Sequence, residues 1–304
     1  MIDKALLEKI KKLKKERNAV ILAHNYQIPE VQDMADFLGD SLGLSIKASK
    51  TKADIIVFCG VKFMAETAKI ISPGKKVLIP EKDAGCPMAD MITAEALIEL
   101  KKKHPEAKVL SYVNTPAEVK AESDLLCTSA NAVELVKKAF TPGDEIIFVP
   151  DKYLADYVSR ETGRKFISWN GYCTAHVSIL PEHVKEEKRL HPEAKVLVHP
   201  ECTRPVIDLA DEALSTEGMM KFAKKTSAKE MIIGTEPGIV YRLKKENPGK
   251  EFYAANASSV CRNMKKTTLN KVIRSLEIMQ YEIILSDDII RRAKKSIEGM
   301  LKFR

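Results

Sequence analysis

No run of 18 apolar residues occurs in the sequence, which argues against a membrane-spanning helix. No Cys-x-x-Cys pair occurs either, so the most specific sequence signature of a zinc or dithiol site is missing. The opening segment, MIDKALLEKIKKLKKERN, lacks a continuous apolar stretch and mixes acids with bases at helical spacing. It is expected to form an amphipathic helix and not a signal peptide. A cytoplasmic location with no membrane partner follows, and there six cysteines serve as thiols, metal ligands or catalytic groups sooner than as disulfides. A formal charge of +8 suits nucleic acid or small anions. The lysines, however, fall in helical runs such as EKIKKLKKE, ELVKKAF and MKFAKK, which read as solvated faces, and no nucleic-acid partner is expected. With 45% hydrophobic and 30% charged residues in 304, the chain has the make-up of a globular protein of two or three domains.

What is present is a repeat. HPEAKVL occurs at residues 104–110 and again 87 residues later at 191–197. The apolar run inside it has a third copy, NAVILAHNY from Asn18, and self-similarity at a fixed period points to duplicated structural units. Each run is short, rich in Val, Ile and Leu, and bounded by polar or Pro-containing residues, as expected of a strand buried in a parallel sheet. A second run follows in each copy (IIVF from Ile55, IIFV from Ile146, MIIG from Met231), then a helical pattern and a third run (KVLIP, KFISW, EFYAA). Strands alternating with helices predict an α/β protein of three pseudo-threefold-related αβα domains with short parallel sheets and an active site at their common interface. The expected divisions are residues 1–86, the first repeat with an N-terminal helix; 87–173, the second; 174–261, the third; and 262–304, a helical segment packing back on the first repeat.

Aligning the copies on Ala19, Ala107 and Ala194 places His24, Tyr112 and His199 at one position where the strand ends, and Tyr26, Asn114 and Glu201 two residues on. Ser41, Ser129 and Thr216 lie 17 residues beyond the first trio, each ahead of a helical pattern, where N-capping is expected. Ligands of parallel α/β sheets bind outside the carboxyl ends of the strands, so these nine residues belong on the side of a shared cleft. Three helix N-termini aimed at one axis suit phosphate or carboxylates. The histidines, tyrosines and Glu201 supply proton donors and acceptors.

Each copy also ends on a loop with one cysteine: Cys86 in AGCPMAD, Cys173 in GYCTAH and Cys261 in SSVCRNM, spaced by 87 and 88 residues. Cys59, Cys127 and Cys202 share no such spacing and read as buried small residues. Three thiolates on three loops leave three readings open: an iron-sulfur cluster with one iron free, a zinc ion with a fourth ligand such as His176, or ancestral core filler.

The segments HNYQIPEVQDMADFLGDSL, SYVNTPAEVKAESDLLCTSANA and HPEC, with the three isolated cysteines, resemble quinolinate synthase, the iron-sulfur enzyme of de novo NAD synthesis, from about residue 18 to 270. GYCTAH keeps the Cys-x-x-His pattern, and RNMKK after Cys261 fits as well. The resemblance implies a 4Fe-4S cluster on Cys86, Cys173 and Cys261 whose open iron acts as a Lewis acid. It implies condensation of iminoaspartate (iminosuccinate) with dihydroxyacetone phosphate, with loss of phosphate and water, the imine being supplied by an aspartate oxidase or dehydrogenase. It also implies that His24, Ser41, Tyr112, Val113, Asn114, Ser129, His199, Pro200, Glu201 and Thr216 bind the substrates, with Tyr26, Tyr112, His199 and Glu201 in catalytic roles.

Overall fold

The computed structural model describes residues 4–302, so residues 1–3 of the expected N-terminal helix and 303–304 of the C-terminal segment lie outside the described residues. Twelve strands form among them: β1 (Ala19–His24), β2 (Phe37–Gly39), β3 (Ile55–Cys59), β4 (Lys76–Leu78), β5 (Lys108–Tyr112), β6 (Leu125–Cys127), β7 (Ile146–Val149), β8 (Ile167–Ser168), β9 (Lys195–Val198), β10 (Glu212–Ala213), β11 (Glu230–Gly234) and β12 (Glu251–Ala254). They make three four-stranded sheets of identical order, β2-β1-β3-β4, β6-β5-β7-β8 and β10-β9-β11-β12, and every ladder pair within them is parallel. The expected α/β class and threefold repetition of short parallel sheets are what the chain adopts.

Alternation along the strands explains how three sheets share one centre. Successive side chains of a strand point to opposite faces. Val20 and Leu22 of β1, Leu110 of β5, Ile146 and Phe148 of β7, Leu197 of β9, and Met231 and Ile233 of β11 enter one common core. Their neighbours Ile21 and Ala23, Val109 and Ile147, and Val196 and Ile232 turn outward into three separate cores, each under its own helices. Both faces of each sheet are covered, which is why the runs are continuously apolar. Truncating one of the fully buried central side chains, such as Leu22→Ala, is expected to cost about 2–5 kcal/mol.

The edge strands β2, β6 and β10 are held by a device repeated three times. Asp36, Asp124 and Asp211 each accept a hydrogen bond through a carboxylate oxygen from the backbone N–H of Ile21, Val109 or Val196, at 2.8, 2.7 and 2.8 Å. The same three residues return their own N–H groups to the carbonyls of Ile21, Val109 and Val196.

The segment after Cys261 does not pack on the first repeat alone. The helix Leu269–Ile278 lies on the helix Lys4–Glu16 and on β3, whereas the helix Asp287–Lys302 lies mainly on Ala117–Ala121 and β6 and also reaches the helix Lys62–Ile71. Its apolar stripe, with Ala293, Ile297 and Met300 buried, faces the central core. No helix among the described residues is long and apolar enough to cross a membrane.

Candidate active site

In each sheet the connection after the first central strand runs to one edge and that after the second central strand to the other, so a crevice opens between β1 and β3, β5 and β7, and β9 and β11, at their carboxyl ends. Three such crevices meet in one cleft. Its wall includes all nine residues of the repeat register, His24, Tyr26, Ser41, Tyr112, Asn114, Ser129, His199, Glu201 and Thr216, together with Cys86, Cys173 and Cys261. Val113 and Pro200 are buried beside it and do not line it.

His24 and His199 adopt the same local conformation. Each accepts through Nδ1 from the backbone N–H two residues on, of Tyr26 at 3.2 Å and of Glu201 at 3.3 Å. An Nδ1 that accepts leaves the proton of the neutral ring on Nε2. In His199 that nitrogen is 3.1 Å from Ser129 Oγ. Burial, more than the neighbouring positive groups, lowers both imidazoles to about 3, although Glu201 pulls His199 the other way. Both rings are therefore neutral hydrogen-bond donors at pH 7, with no free lone pair for the work of a base.

Glu201 is the ionised group. Its Oε1 accepts from Tyr112 OH at 2.6 Å, and His176 Nδ1 stands 3.0 Å from its Oε2, at ion-pair distance but without completing an aligned hydrogen bond. Burial resists ionisation, yet His176, His199 and the hydrogen bond from Tyr112 outweigh it and hold the carboxyl below the usual carboxylate range. The other two carboxyls on the wall, Asp40 and Glu236, are pushed up by burial, Glu236 even with Lys265 Nζ 2.8 Å away. Tyr26 and Tyr112 are also raised, by burial first and by Glu201 second, so both phenols keep their protons. The cleft thus offers, in Glu201, a buried carboxyl held below its usual range beside protonated phenols and neutral imidazoles, an arrangement for acid–base chemistry near neutral pH.

The hydroxyls do not cap their helices. Asp40 caps Ser41–Lys50 by accepting from Gly43 N–H at 2.8 Å, and Ser215 caps Thr216–Lys225 by accepting from Gly218 N–H at 3.1 Å. In the second copy the equivalent residue is Thr128, whose N–H and hydroxyl both bond Asn131 Oδ1, and the helix starts later, at Ala132. Because the preceding residue does the capping, the hydroxyl side chains are released toward the cleft. Ser129 meets His199, and Thr216 accepts from Asn25 Nδ2 at 2.9 Å. Asn25 is itself held by Arg242, 2.6 Å away. Asn114 Oδ1 is buried on the wall with no hydrogen-bond partner, and such an atom costs about 1–3 kcal/mol until something donates to it.

Cys86, Cys173 and Cys261 are half-buried free thiols, whereas Cys59 and Cys127 are buried at the ends of β3 and β6 and Cys202 is buried in the turn after β9. Burial raises the loop thiols, Cys86 to about 12, and neighbouring thiols further oppose the ionisation of Cys86 and Cys173. The described residues also bring ligand atoms of Cys173, His176 and Glu201 within 4.8 Å of one another.

Four groups of this neighbourhood escaped the repeat argument or stood at its margin: His176, Thr235, Glu236 and Asp151. The strand registers make Gly60, Pro150 and Thr235 equivalent, and likewise Val61, Asp151 and Glu236. A carboxyl just beyond the second central strand, β7 or β11, in two copies of three was a signal available in the sequence.

A family model described as quinolinate synthetase A protein matches residues 8–302. Curated relatives named quinolinate synthase include one from Dehalococcoides mccartyi strain CBDB1, 53% identical over 302 residues that cover 99% of each chain. Another, from Geobacter sp. strain M21, is 52% identical over 99% of this chain and 98% of its own. A third, from Thermodesulfovibrio yellowstonii, is 53% identical over 97% of both chains.

Proposed function

The chain belongs to the quinolinate synthase family, and from that premise we propose that it condenses iminoaspartate with dihydroxyacetone phosphate to quinolinate, releasing one phosphate and two waters. The observation that carries this reading is the meeting of nine polar residues and three separate cysteine loops in one cleft. The reaction involves no net oxidation, so the site needs an electrophile, proton carriers and a lining for anions.

Cys86, Cys173 and Cys261 are the residues that would hold a 4Fe-4S cluster. The fit is chemical: three soft thiolates on three loops leave one iron without a protein ligand. When bound, the cluster supplies a Lewis acid that polarises a hydroxyl or carbonyl oxygen. Desolvated thiols whose ionisation is resisted by burial and by neighbouring thiols are also what a bound cation would convert to thiolates.

Ser41, Ser129 and Thr216, beside helix N-termini, and the unpartnered amide of Asn114 are the groups for phosphate and carboxylate oxygens. His24 and His199 donate from Nε2 as neutral rings. Tyr26 and Tyr112 donate as protonated phenols, and Glu201 accepts the protons that leave carbon or nitrogen. Val113 and Pro200 contribute at most through their backbone. The imine comes from an aspartate oxidase or dehydrogenase, and the work is done in the cytoplasm without nucleic acid or membrane.

A second reading has one observation in its favour, the Cys173, His176 and Glu201 set, which resembles an open zinc site. Against it, Oε1 of Glu201 is already engaged by Tyr112 and Oε2 faces His176. Anaerobic purification followed by iron, sulfide and zinc analysis separates the two readings. Quinolinate formation from dihydroxyacetone phosphate and imine generated in place tests the reaction. A colourless protein that holds zinc and makes no quinolinate would overturn the first reading.

A further inference from the structure

We propose that Glu236 is a positioning residue for the third cysteine loop, its carboxyl holding the backbone of Cys261 in place of a hydrogen bond that Pro237 cannot make. The proposal rests on the reading above only in taking the three cysteines as ligands.

The first two repeats brace their cysteine loops alike. Lys62 and Lys152, three residues beyond β3 and β7, each open a helix, Lys62–Ile71 and Lys152–Thr162. The first N–H groups of a helix have no partner within it. These two donate outward, Lys62 to the Ala84 carbonyl at 2.8 Å and Lys152 to the Gly171 carbonyl at 3.0 Å. Ala84 and Gly171 are buried and lie two residues before Cys86 and Cys173. The bond therefore ties each cysteine loop to the end of a central strand in its own sheet.

The third repeat cannot copy this. The register that makes Val61, Asp151 and Glu236 equivalent puts Pro237 at the place of Lys62 and Lys152, and proline has no N–H. A carboxyl one residue earlier takes over. Glu236 precedes Cys261 by the same 25 residues that separate Val61 from Cys86. Its Oε1 accepts from the backbone N–H of Cys261 itself at 3.3 Å and lies 2.8 Å from Lys265 Nζ, and its Oε2 accepts from the Gly238 N–H at 2.8 Å. Lys265, on the same loop, reaches on to the Tyr26 carbonyl. A Cβ at Gly238 would lie 2.5 Å from that ammonium and 2.7 Å from Glu236 Oε2, so the pair closes over a residue that has no side chain. The Glu236 side chain is fully buried, with both oxygens engaged by the loop and by the helix start. Asp151, the equivalent carboxyl where the N–H brace is intact, caps its own helix instead, accepting from the N–H groups of Tyr153 and Leu154.

The test follows each loop separately in anaerobic holoenzyme, by the rate at which a ferrous chelator removes iron and by amide hydrogen exchange in the peptides around Cys86, Cys173 and Cys261. Glu236→Ala should release iron roughly 10- to 100-fold faster, the usual effect of losing a hydrogen-bond partner behind a metal ligand. Exchange should quicken around Cys261 and stay unchanged around Cys86 and Cys173. Glu236→Gln, whose amide oxygen can still accept from Cys261, should keep most of the parent's hold. Lys62→Pro moves the third repeat's deficit to the first. Proline is tolerated at the first position of a helix, here after an extended Val61 (φ −107°, ψ 161°), and Val61 has no carboxyl to compensate. Iron release should again be faster, with exchange raised around Cys86 alone, whereas Lys62→Ala, which keeps the N–H, should match the parent.

Parental iron release and exchange in Glu236→Ala, equal damage in Glu236→Gln, a rise spread over all three loops, or a Lys62→Pro protein no different from Lys62→Ala would each overturn the proposal. A parent that binds no iron would refute the cluster and not the brace, which the exchange rates decide alone.

Discussion

Replacing Glu201 by Gln keeps the shape of the side chain and removes the wall carboxylate that is held below its usual range. The amide oxygen can accept from Tyr112 or from His176, but not both, and the remaining NH₂ confronts whichever is left. Tyr112 can turn its hydroxyl to accept, so neither ring needs to move. Hydrogen bonds to a charged group are worth about 1.5–3 kcal/mol and neutral ones about 0.5–1.5 kcal/mol, so the two donors lose roughly 2–3 kcal/mol between them. Against that stands the several kcal/mol that it costs to bury a carboxylate. The terms offset, and thermal stability should shift little. Catalysis has no such compensation: one general acid or base is worth about 10² to 10⁴ in rate, or about 3–5 kcal/mol of barrier. Glu201→Gln should therefore keep its iron and its KM values while kcat for quinolinate falls by that factor. The assay is anaerobic turnover with imine generated in place and dihydroxyacetone phosphate varied. Turnover within about threefold of the parent, well short of the effect of a lost general base, would show that Glu201 only holds substrate and that the proton work belongs to the tyrosines.

Cys86→Ser, Cys173→Ser and Cys261→Ser should each abolish iron binding, because three ligands leave no redundancy, while Cys59→Ser, Cys127→Ser and Cys202→Ser should keep the metal and lose about 1–3 kcal/mol of stability from a buried hydroxyl; retained broad visible absorbance in Cys173→Ser would contradict the assignment. Stability should fall on acidification from about pH 6.5 toward pH 3, since His24 and His199 are neutral in the fold down to about 3 and take up protons near 6.5 once unfolded; Glu201, depressed in the fold, adds to the loss only below about 4.5, so denaturant midpoints followed between pH 7 and 5 in His24→Asn and His199→Asn should be flatter than in the parent. Gly171→Ala should lower the melting temperature and the iron content together, because a Cβ at Gly171 would overlap the Pro150 carbonyl oxygen, a backbone atom that cannot step aside, two residues before Cys173; an unchanged iron content would show that the Cys173 loop is not braced there.

The inner strands were legible because each is a continuous apolar run buried on both faces, where composition and element coincide. The edge strands β2, β6 and β10 were not, since two or three residues are too few for any period to register. What holds them is Asp36, Asp124 and Asp211, 12 residues after His24, Tyr112 and His199, a repeat signal that propensity does not weigh. The hydroxyls line the cleft, where the strand ends place them, but the capping expected of them falls to other residues. Asp40 and Ser215 cap as well as Ser41 and Thr216 could, and a sequence with two good caps in succession does not say which will be used. The C-terminal segment divided between two repeats because its last helix carries a broad apolar stripe with its own destination on β6, and the sequence names a stripe but not its partner.

Thr235 and Glu236 were missed for a reason that bears on how such a site arises. Comparing copies finds what three units still share, and a reaction that joins two unlike substrates needs groups that differ around the axis. The shared positions are those whose task is the same from each side: three cysteines on three loops, and three hydroxyls beside helix starts. In the proposed reaction the asymmetric work would fall to the diverged positions. At one level the axis carries His24, Tyr112 and His199; at the next Tyr26, Asn114 and Glu201; at the strand ends Gly60, Pro150 and Thr235. Substitution should obey the same division. Serine at any of the three cysteines should give one common loss, while removing the side chains of Tyr26, Asn114 and Glu201 should give three distinct kinetic defects. Asn114, whose side-chain oxygen has no hydrogen-bond partner in the cleft, should combine additively with either of the other two.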